Sequence, residues 1–284
     1  MTILTEKKIK SPICRFGGKF FLSAWLTSYI PQHRLFCEVF SGAAHLLFAK
    51  SPSQVEVIND TDKHLINFFR VIQHSEIRQT LIDRLNLMLY SRALWQDIRS
   101  RWKQGNIPQD DIERAAWWYY LNSTCFGGDF RYGGFKIPSV TGRNPMKSFR
   151  NAITGMNTVA ERLRNVCIEN LPYAECIKRY DSEDTLFYCD PPYWDSEHYY
   201  GDSFSHEDHH RLSELLHGIK GQTMVSHYDN ELYSTLYKGW NKYTYQSFKG
   251  SHKAAPGTEK PVTVEALYCN FEPVKTRGLF DAME

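Results

Sequence analysis

The sequence predicts an α/β protein with a doubly wound, mostly parallel seven-stranded sheet and an inserted helical subdomain. Seven short segments are rich in apolar and β-branched residues, as strands covered on both faces are. These segments are 35–39, 54–58, 166–169, 185–189, 222–226, 243–248 and 264–270. Helical spacing of apolar residues alternates with the strands, and an interval of about 70 to 164 contains no convincing strand.

The first two predicted strands are followed by turns that open helices. "LFCEV" leads into "FSGAAHLLFAK", in which one glycine and small residues precede a helix. "QVEVI" leads into "NDTD", and the next helix shows the i, i+3, i+4, i+7 pattern over 65–72. Two strand–helix units in succession indicate the start of a parallel sheet.

The interval 70–164 is predicted to form the inserted subdomain, so that 1–69 and 165–284 form the main domain. It carries helical patterns and then the loop "STCFGGDFRYGGFKIPSVTGRNP". After it, strands and helices alternate again, with helical spacing over 212–219 and a capping-box start at Ser205 to Asp208. The last two strands predict a hairpin near the C-terminus, and 249–261 is a basic, irregular loop.

Charge and cysteine usage exclude several classes of protein. The formal net charge is +2, so any attraction for a polyanion must come from local groups of basic residues. The seven cysteines are odd in number and contain no C-x-x-C pair, which argues against a disulfide framework and a zinc site. Reduced thiols indicate a cytoplasmic location. The apolar run "FFLSAWLTSYI" is too short to span a bilayer, and no membrane association is expected.

The turn after the first strand resembles a nucleotide-binding loop that lacks a phosphate cradle. A dinucleotide site needs G-x-G-x-x-G, because the backbone must approach a pyrophosphate, whereas only Gly42 is present here. A ligand without phosphate, such as S-adenosylmethionine, needs the close turn and a carboxylate for its ribose. Asp60, at the end of the second strand, is that carboxylate. The alternative is a plain strand-to-helix turn followed by a helix cap.

A second site is predicted where "TLFYC" is followed by "DPPYW". Ligands bind at the carboxyl ends of strands in a doubly wound sheet, which is where Asp190 lies. Pro191 and Pro192 stiffen the turn and remove donors, so that carbonyl groups there are presented as acceptors. An acid, a carbonyl and the ring of Tyr193 suit a planar base with an exocyclic amine, such as adenine flipped out of a duplex. The alternative is a simple Asp-Pro-Pro turn.

Histidines and acids are concentrated between residues 198 and 210. They are His198, Asp202, His206, Asp208, His209 and His210. Their spacing matches no standard set of metal ligands, and histidines near a helix start are commonly solvated. No metal is therefore expected.

Several motifs, in chain order, resemble those of Dam-type DNA adenine-N6 methyltransferases, in particular the phage and prophage branch and the alpha group. They are "FGGK" (16–19), "CEVFSGAA" (37–44), "VINDTD" (57–62), "FYCDPPY" (187–193), "MVSHYDNELYSTL" (224–236) and "VEALYCNF" (264–271). The resemblance implies the fold of S-adenosylmethionine-dependent methyltransferases and transfer to the N6 amine of a flipped adenine. The inserted subdomain would recognise the target sequence.

The resemblance also assigns roles to individual residues. The S-adenosyl-L-methionine site would comprise Phe16, Gly17, Gly18, Lys19, Glu38, Phe40, Ser41, Gly42, Ala43, Asp60, Tyr173 and Asp190. The target base would be bound by Asp190, Pro191, Pro192 and Tyr193. Double-stranded DNA is the expected partner of a monomer or weak dimer, and a cognate restriction endonuclease is a candidate second partner.

Basic residues alternate with aromatic ones in the loop of the insertion, a mixture that suits contacts to phosphates and bases. The expected DNA contacts are Lys19, Asn122, Arg131, Lys136, Arg143, Lys249, His252 and Lys253. Arg131 is the preferred base reader, because arginine can bridge two acceptors of guanine. Three alternatives remain open: cytosine N4 as the target, a structured RNA substrate, and a catalytically silent DNA-binding relative.

Overall fold

The structure is a computed structural model, and it describes residues 9–15, 17–140, 142, 144–194, 204–248 and 262–273 of the 284-residue chain. The strands are β1 (Leu35–Glu38), β2 (Val55–Asn59), β3 (Val166–Glu169), β4 (Thr185–Cys189), β5 (Gln222–Tyr228), β6 (Asn241–Phe248) and β7 (Val262–Cys269). The helices are α1 (Ser23–Thr27), α2 (His45–Ala49), α3 (Lys63–Gln73), α4 (Arg78–Leu87), α5 (Arg92–Lys103), α6 (Asp111–Thr124), α7 (Pro145–Thr154), α8 (Met156–Leu163), α9 (Tyr173–Tyr180), α10 (His206–His217) and α11 (Glu231–Leu236).

The predicted sheet is confirmed, with the strand order β3-β2-β1-β4-β5-β7-β6. β1 pairs in parallel with β2 and β4, and β4 pairs in parallel with β5. β7 is antiparallel to both β5 and β6, so the expected C-terminal hairpin is present and β7 lies between its two neighbours. The carboxyl ends of β2, β1, β4 and β5 therefore meet at one edge of the sheet, where a doubly wound fold binds its ligands.

The chain forms two compact units. The first comprises Met1–Ala24, Ser41–Pro52 and Asp60–Asn170, and the second comprises Trp25–Phe40, Ser53–Asn59 and Leu171–Glu284. The functional boundaries at residues 70 and 164 stay a prediction.

The first unit is mainly helical. Asp62 caps α3, because its Oδ1 accepts hydrogen bonds from the main-chain N–H groups of His64 and Leu65. The ring of Phe68 on α3 stacks on Tyr119 of α6, with ring centroids 4.9 Å apart and planes 3° apart. Between residues 70 and 164, the described part of the chain has no strand and only an isolated bridge between Cys125 and Phe135.

A hydrophobic core cluster of the second unit lies against one face of the sheet. Alternate residues of the strands, such as Phe187 and Val225, pack with apolar residues of α9, α10 and α11. Cys37 and Cys176 lie within this core with their Sγ atoms 3.7 Å apart, and Cys189 is buried beside them. Burial raises the pKa of the Cys37 thiol well above its ordinary value.

The start of α10 confirms the predicted capping box. The Ser205 hydroxyl accepts from the Asp208 N–H at 3.3 Å, and the Asp208 carboxylate accepts from the Ser205 N–H at 2.8 Å. No helix in the described ranges combines the length and the apolar character that crossing a membrane requires.

Candidate active site

Asp190 directly follows the last residue of β4, at the carboxyl edge of the sheet. Its Oδ1 accepts a hydrogen bond from the Ser226 hydroxyl of β5 at 2.9 Å. The Ser226 oxygen lies 2.9 Å from the hydroxyl of Tyr188 on β4. Ser226 and Tyr188 are both buried, so this chain of three polar groups is shielded from solvent up to the carboxylate.

The direction of these hydrogen bonds follows from the chemistry of the groups. An ionised carboxylate only accepts, so the single proton of the Ser226 hydroxyl points to Asp190. Tyr188 must then donate to Ser226. Burial, followed by the nearby charge of Asp190, raises the pKa of Tyr188 well above its ordinary value, and the phenol keeps the proton that it donates.

Tyr193, the aromatic residue of the Asp-Pro-Pro-Tyr turn, is buried and held by β7. Its hydroxyl donates to Oε2 of Glu265 at 2.7 Å. Its ring meets Tyr228 edge-on at a centroid distance of 4.4 Å and lies 4.6 Å from the ring of His227. Burial raises the pKa of the Tyr193 phenol well above its ordinary value, and the charges of Asp190 and Glu265 add to this effect. The ring therefore has a fixed orientation, and its stacking on a base stays a prediction.

The main chain after the turn is tied to β5 by His227. The Trp194 N–H donates to Nε2 of His227 at 2.8 Å, which requires Nε2 to be unprotonated. The ring proton is then on Nδ1, which lies 2.8 Å from the carbonyl oxygen of Tyr228. The imidazole also stacks on Tyr233 at a centroid distance of 3.6 Å. The turn that carries Asp190 is thus fixed at both of its ends.

Two residues predicted to bind the cofactor come together beside the carboxyl end of β1. Phe40 stacks on Tyr173 with ring centroids 5.8 Å apart, and Phe204 meets Phe40 edge-on at 5.7 Å. The Tyr173 hydroxyl donates to Asp208 at 3.2 Å, and burial together with that carboxylate raises the pKa of Tyr173 to about 12. The three rings form an aromatic cluster, in which Phe40 and Tyr173 are stacked and Phe204 lies edge-on to Phe40. Glu38, the last residue of β1, is buried.

In the first unit, the turn of residues 41 to 43 is joined to Asp60. Gly42 has a φ of +47°, which glycine adopts readily, and its N–H donates to Oδ2 of Asp60 at 2.9 Å. Oδ1 of Asp60 accepts from the Asp62 N–H at 2.9 Å, and Arg15 Nη1 is 3.6 Å from the carboxylate. Ala43 is buried. Ser41 is buried too, and its hydroxyl has no hydrogen-bond partner within the described ranges.

Residues 17–19 of the "FGGK" motif are packed against α2. Gly17 has a φ of +74°, and its carbonyl oxygen accepts from Nζ of the buried Lys19 at 3.0 Å. A Cβ atom at Gly18 would lie 2.9 Å from Nε2 of His45. Burial, followed by the charge of Lys19, lowers the pKa of His45 to about 4. Phe16 lies outside the described residues.

Arg131 is exposed, and both its main-chain N–H and its carbonyl group are hydrogen-bonded. Its N–H donates to Oδ1 of Asp129 at 2.8 Å, and its carbonyl oxygen accepts from Nη2 of Arg99 at 2.8 Å. Lys136 is half-buried, and its Nζ donates to the carbonyl oxygen of Ser123 at 2.9 Å. Of the other predicted DNA contacts, Arg143, Lys249, His252 and Lys253 lie outside the part of the chain that the structure describes.

Asn122 is buried, and its amide bonds to main-chain groups of the same unit. Its oxygen accepts from the Cys14 N–H at 3.2 Å, and its Nδ2 donates to the carbonyl oxygens of Cys14 at 2.8 Å and Gly128 at 3.1 Å. A Cβ atom at Gly128 would lie 1.8 Å from the carbonyl oxygen of Cys14, so the close approach requires glycine. In this structure, Asn122 joins the N-terminal segment to the end of α6.

One of the histidines at the start of α10 is buried rather than solvated. The prediction of solvated side chains is wrong for His209, because this position faces inward on α10 and its Nδ1 lies 2.6 Å from the Tyr233 hydroxyl. The described residues contain no group of three or more potential metal ligands. His198 and Asp202 lie outside those residues.

Comparison with known proteins identifies the family. Residues 16–250 match the D12 class N6 adenine-specific DNA methyltransferase family. The chain belongs to this family. As a D12 class methyltransferase, it acts on adenine N6 in DNA, which confirms the resemblance and the predicted reaction, and it requires a methyl donor.

Three curated relatives of this D12 class methyltransferase span most of its length. It is 28% identical to Type II methyltransferase M.CviBI of Paramecium bursaria Chlorella virus NC1A, over 81% of this chain and 87% of that protein. It is 28% identical to the DNA N-6-adenine-methyltransferase of Escherichia phage P1, over 74% of this chain and 29% of that protein. It is 23% identical to the DNA adenine methylase of Serratia marcescens, over 89% of this chain and 96% of that protein.

Sequence reasoning missed three residues that hold the Asp-Pro-Pro-Tyr turn of this methyltransferase. They are Ser226, His227 and Glu265, all of which are buried on β5 or β7. A signal was present for Glu265, a charged residue within the largely apolar segment 264–270, because buried polar groups need specific partners.

Proposed function

We propose that this methyltransferase uses S-adenosyl-L-methionine to methylate an adenine flipped out of double-stranded DNA, with Asp190 as the acceptor of the target amine. The observation that carries this proposal is the carboxylate of Asp190, anchored through one oxygen immediately beyond β4 and followed by the two prolines. Membership in an N6 adenine-specific family supports the choice of base.

The residues present fit the proposed methyl donor. The buried Ser41 hydroxyl, which lacks a hydrogen-bond partner in the described structure, is available to a polar ligand. The stacked rings of Phe40 and Tyr173 suit the flat adenine of the donor. Asp60 would hold the ribose, while Gly42 keeps the turn close. When bound, S-adenosyl-L-methionine supplies an electrophilic methyl group on its sulfonium sulfur.

Asp190 and the carbonyl of Pro191 would bind the two N–H groups of the adenine amine. The nitrogen lone pair of adenine is delocalised into the ring, which makes the amine a poor nucleophile. Hydrogen bonds to a carboxylate and a carbonyl favour a pyramidal nitrogen whose lone pair points away from both acceptors. Tyr193 would contact the base ring. No covalent bond to the enzyme is needed.

DNA contacts are proposed for the exposed Arg131 and for the basic residues predicted with it. Support for Arg131 comes from its main chain, which Asp129 and Arg99 hold while the side chain remains exposed. A fixed main chain presents a guanidinium group to a base edge with little loss of conformational freedom. We further propose a monomer or weak dimer that acts in the cytoplasm, where DNA is accessible, with a cognate restriction endonuclease as a candidate partner.

The test is substitution of Asp190 by alanine. We expect Asp190→Ala to lower methyl transfer by at least about a thousandfold, because the acceptor of the amine is lost, and to leave DNA binding nearly unchanged. Transfer of a labelled methyl group to duplex DNA measures the rate, and digestion of the product to nucleosides identifies N6-methyladenine. Labelled N4-methylcytosine would contradict the proposed target.

Asp184→Ala provides a matched control. Asp184 immediately precedes β4, Asp190 immediately follows it, and the Asp184 side chain is 63% exposed. We expect this variant to transfer methyl groups at the wild-type rate. Wild-type transfer by Asp190→Ala would overturn the catalytic assignment.

A further inference from the structure

The hydroxyl of Ser226 is placed to control the orientation of the Asp190 carboxylate. We propose that Ser226, supported by Tyr188, is a positioning residue for methyl transfer: it fixes one carboxylate oxygen of Asp190 and thereby sets the direction in which the group meets the amine. This inference rests on the proposed role of Asp190.

The register of the sheet brings the three groups together. Tyr188 is paired with Met224 and Cys189 with Val225 in the parallel β4–β5 ladder, which brings Ser226 beside the residue that follows β4. Side chains alternate between the two faces of a sheet, so Tyr188 and Ser226 lie on the same face. The two distances of 2.9 Å, from the Ser226 oxygen to Tyr188 and to Asp190, follow from this register.

The environment strengthens both hydrogen bonds. Ser226 and Tyr188 are each 1% exposed, so little water competes with the donors. Tyr188 donates to Ser226 and Ser226 donates to Asp190, and donors aligned in this way polarise one another. The result is a carboxylate with one oxygen anchored to a rigid pair of strands. Fixing one carboxylate oxygen in this way restricts the rotamers open to the Asp190 side chain.

The identity of the residue supports a role beyond packing. Burying a hydroxyl costs free energy unless it is hydrogen-bonded, and an apolar residue would fill this strand position without that cost. Within the described structure, the hydrogen bonds of the Ser226 hydroxyl go to Tyr188 and Asp190. A hydroxyl retained for these two partners acts on the carboxylate that the proposed reaction uses.

The experiment combines Ser226→Ala, Tyr188→Phe and the double variant. Single-turnover methyl transfer to duplex DNA is measured together with the dissociation constants for DNA and for S-adenosyl-L-methionine. We expect Ser226→Ala to lower the transfer rate about 10- to 100-fold, because a hydrogen bond to a charged group is lost. Both dissociation constants should stay within about twofold of the wild-type values. Tyr188→Phe, which removes only a hydroxyl, lowers the rate about 3- to 10-fold.

The double variant separates positioning from general weakening of the fold. If Tyr188 acts through Ser226, the double variant is no slower than Ser226→Ala alone, whereas independent effects multiply. Ser213→Ala is the matched control, because the buried Ser213 hydroxyl donates to the Leu236 carbonyl of the same unit at 2.9 Å and has no bond to Asp190. We expect its transfer rate to equal that of wild type.

Each outcome supports or overturns the inference. Wild-type transfer by Ser226→Ala, or an equal loss in Ser213→Ala, overturns it, and multiplicative effects in the double variant overturn the role of Tyr188. If Ser226→Ala does not fold, the transfer rate of Tyr188→Phe decides: a lowered rate supports the inference, and the wild-type rate overturns it. Asp190→Ala, measured in parallel, distinguishes the two proposals. If Asp190→Ala transfers methyl groups at the wild-type rate, the proposed function fails. If Asp190→Ala is inactive and Ser226→Ala transfers at the wild-type rate, only the positioning role of Ser226 fails.

Discussion

Single buried side chains determine the geometry of the Asp-Pro-Pro-Tyr turn. Asp190 is held by Ser226, Tyr193 donates to Glu265, and the Trp194 N–H donates to His227. All three partners lie on β5 or β7, each of which is paired with a strand on both sides. A turn held from rigid strands keeps its reactive group in one orientation, which is the condition for efficient transfer between bound groups.

His45 gives a prediction at the residue scale. Its pKa is about 4, because burial and then the charge of Lys19 disfavour the imidazolium form. An ordinary histidine of the unfolded chain titrates at about 6.5, so the unfolded state binds a proton more readily between these values. The stability that the neutral imidazole contributes is fully present above about pH 6.5 and is lost as the pH falls towards 4.

The measurement is the free energy of unfolding in urea between pH 7 and pH 4.5. We expect the wild type to lose more stability on acidification than His45→Gln, which cannot be protonated. His210→Gln makes the same substitution at an exposed position of α10 and should follow the wild-type curve. An NMR titration of His45 centred near pH 6.5 would contradict the prediction.

At the scale of elements, α4 and α6 are joined by one bidentate ion pair. Nε and Nη2 of Arg84 lie 2.7 Å from the two carboxylate oxygens of Glu113, and Trp117 donates to the same carboxylate at 2.6 Å. The hydrogen bond from Arg84 is the main reason that the pKa of Glu113 is lowered. Two planar groups in this geometry bind more strongly than a single-point surface pair.

We predict that Glu113→Gln destabilises the protein at pH 7 and that its effect fades in acid. A carboxyl group with a lowered pKa contributes stability above its unfolded value of about 4.3, and this is lost as the pH falls through the lower folded value. Urea unfolding at pH 7, 4 and 3 measures the difference from wild type. Asp97→Asn breaks the exposed pair with Arg101 and should change stability by less than about 1 kcal/mol. A pH-independent effect of Glu113→Gln would refute the prediction.

The strands and the main helices could be predicted from local patterns, because burial on both faces of a sheet leaves near-continuous apolar runs. The C-terminal end of β5 and the start of β6 could not be predicted from the sequence in this way. β5 continues through His227 and Tyr228, since both are paired with β7, and β6 begins at Asn241, opposite Cys269. Such extensions depend on a partner strand that is distant in sequence, and no local pattern contains that information.

The residues of the candidate site also fall into two groups, those in a local sequence motif and those that act from a strand distant in sequence. Asp190 and Gly42 could be named as candidate site residues because each lies in a motif next to a strand end. Ser226 and Glu265 act across the sheet, at sequence separations of 36 residues from Asp190 and 72 residues from Tyr193. The amide of Asn122, which is also a predicted DNA contact, bonds to Cys14 and Gly128 within the first unit, and its contact with DNA stays a prediction.

At the scale of the whole molecule, a formal charge of +2 provides little overall attraction for DNA. Affinity must then depend on a few local phosphate contacts, while specificity depends on contacts to bases. The exposed Arg131 is proposed for the second role.

We predict that Arg131→Ala weakens binding to the cognate site about 10- to 100-fold and leaves non-specific binding nearly unchanged. Mapping N6-methyladenine in DNA from cells that produce the protein first identifies that site. Titrations of cognate and scrambled duplexes at several salt concentrations then measure both affinities. Arg164→Ala, which removes a 77% exposed arginine of the same unit, is the control. An equal loss on both duplexes would indicate that Arg131 contacts phosphate only.

The distribution of thiols across the fold provides an intrinsic reporter of unfolding. Cys14 and Cys167 are exposed, whereas the other five cysteines are buried, three of them between the sheet and its helices. A maleimide reagent should therefore modify two sites rapidly in the native protein and the remainder only as fast as the interior opens. Mass spectrometry of the labelled chain would follow that opening without a dye, a tag or an engineered residue.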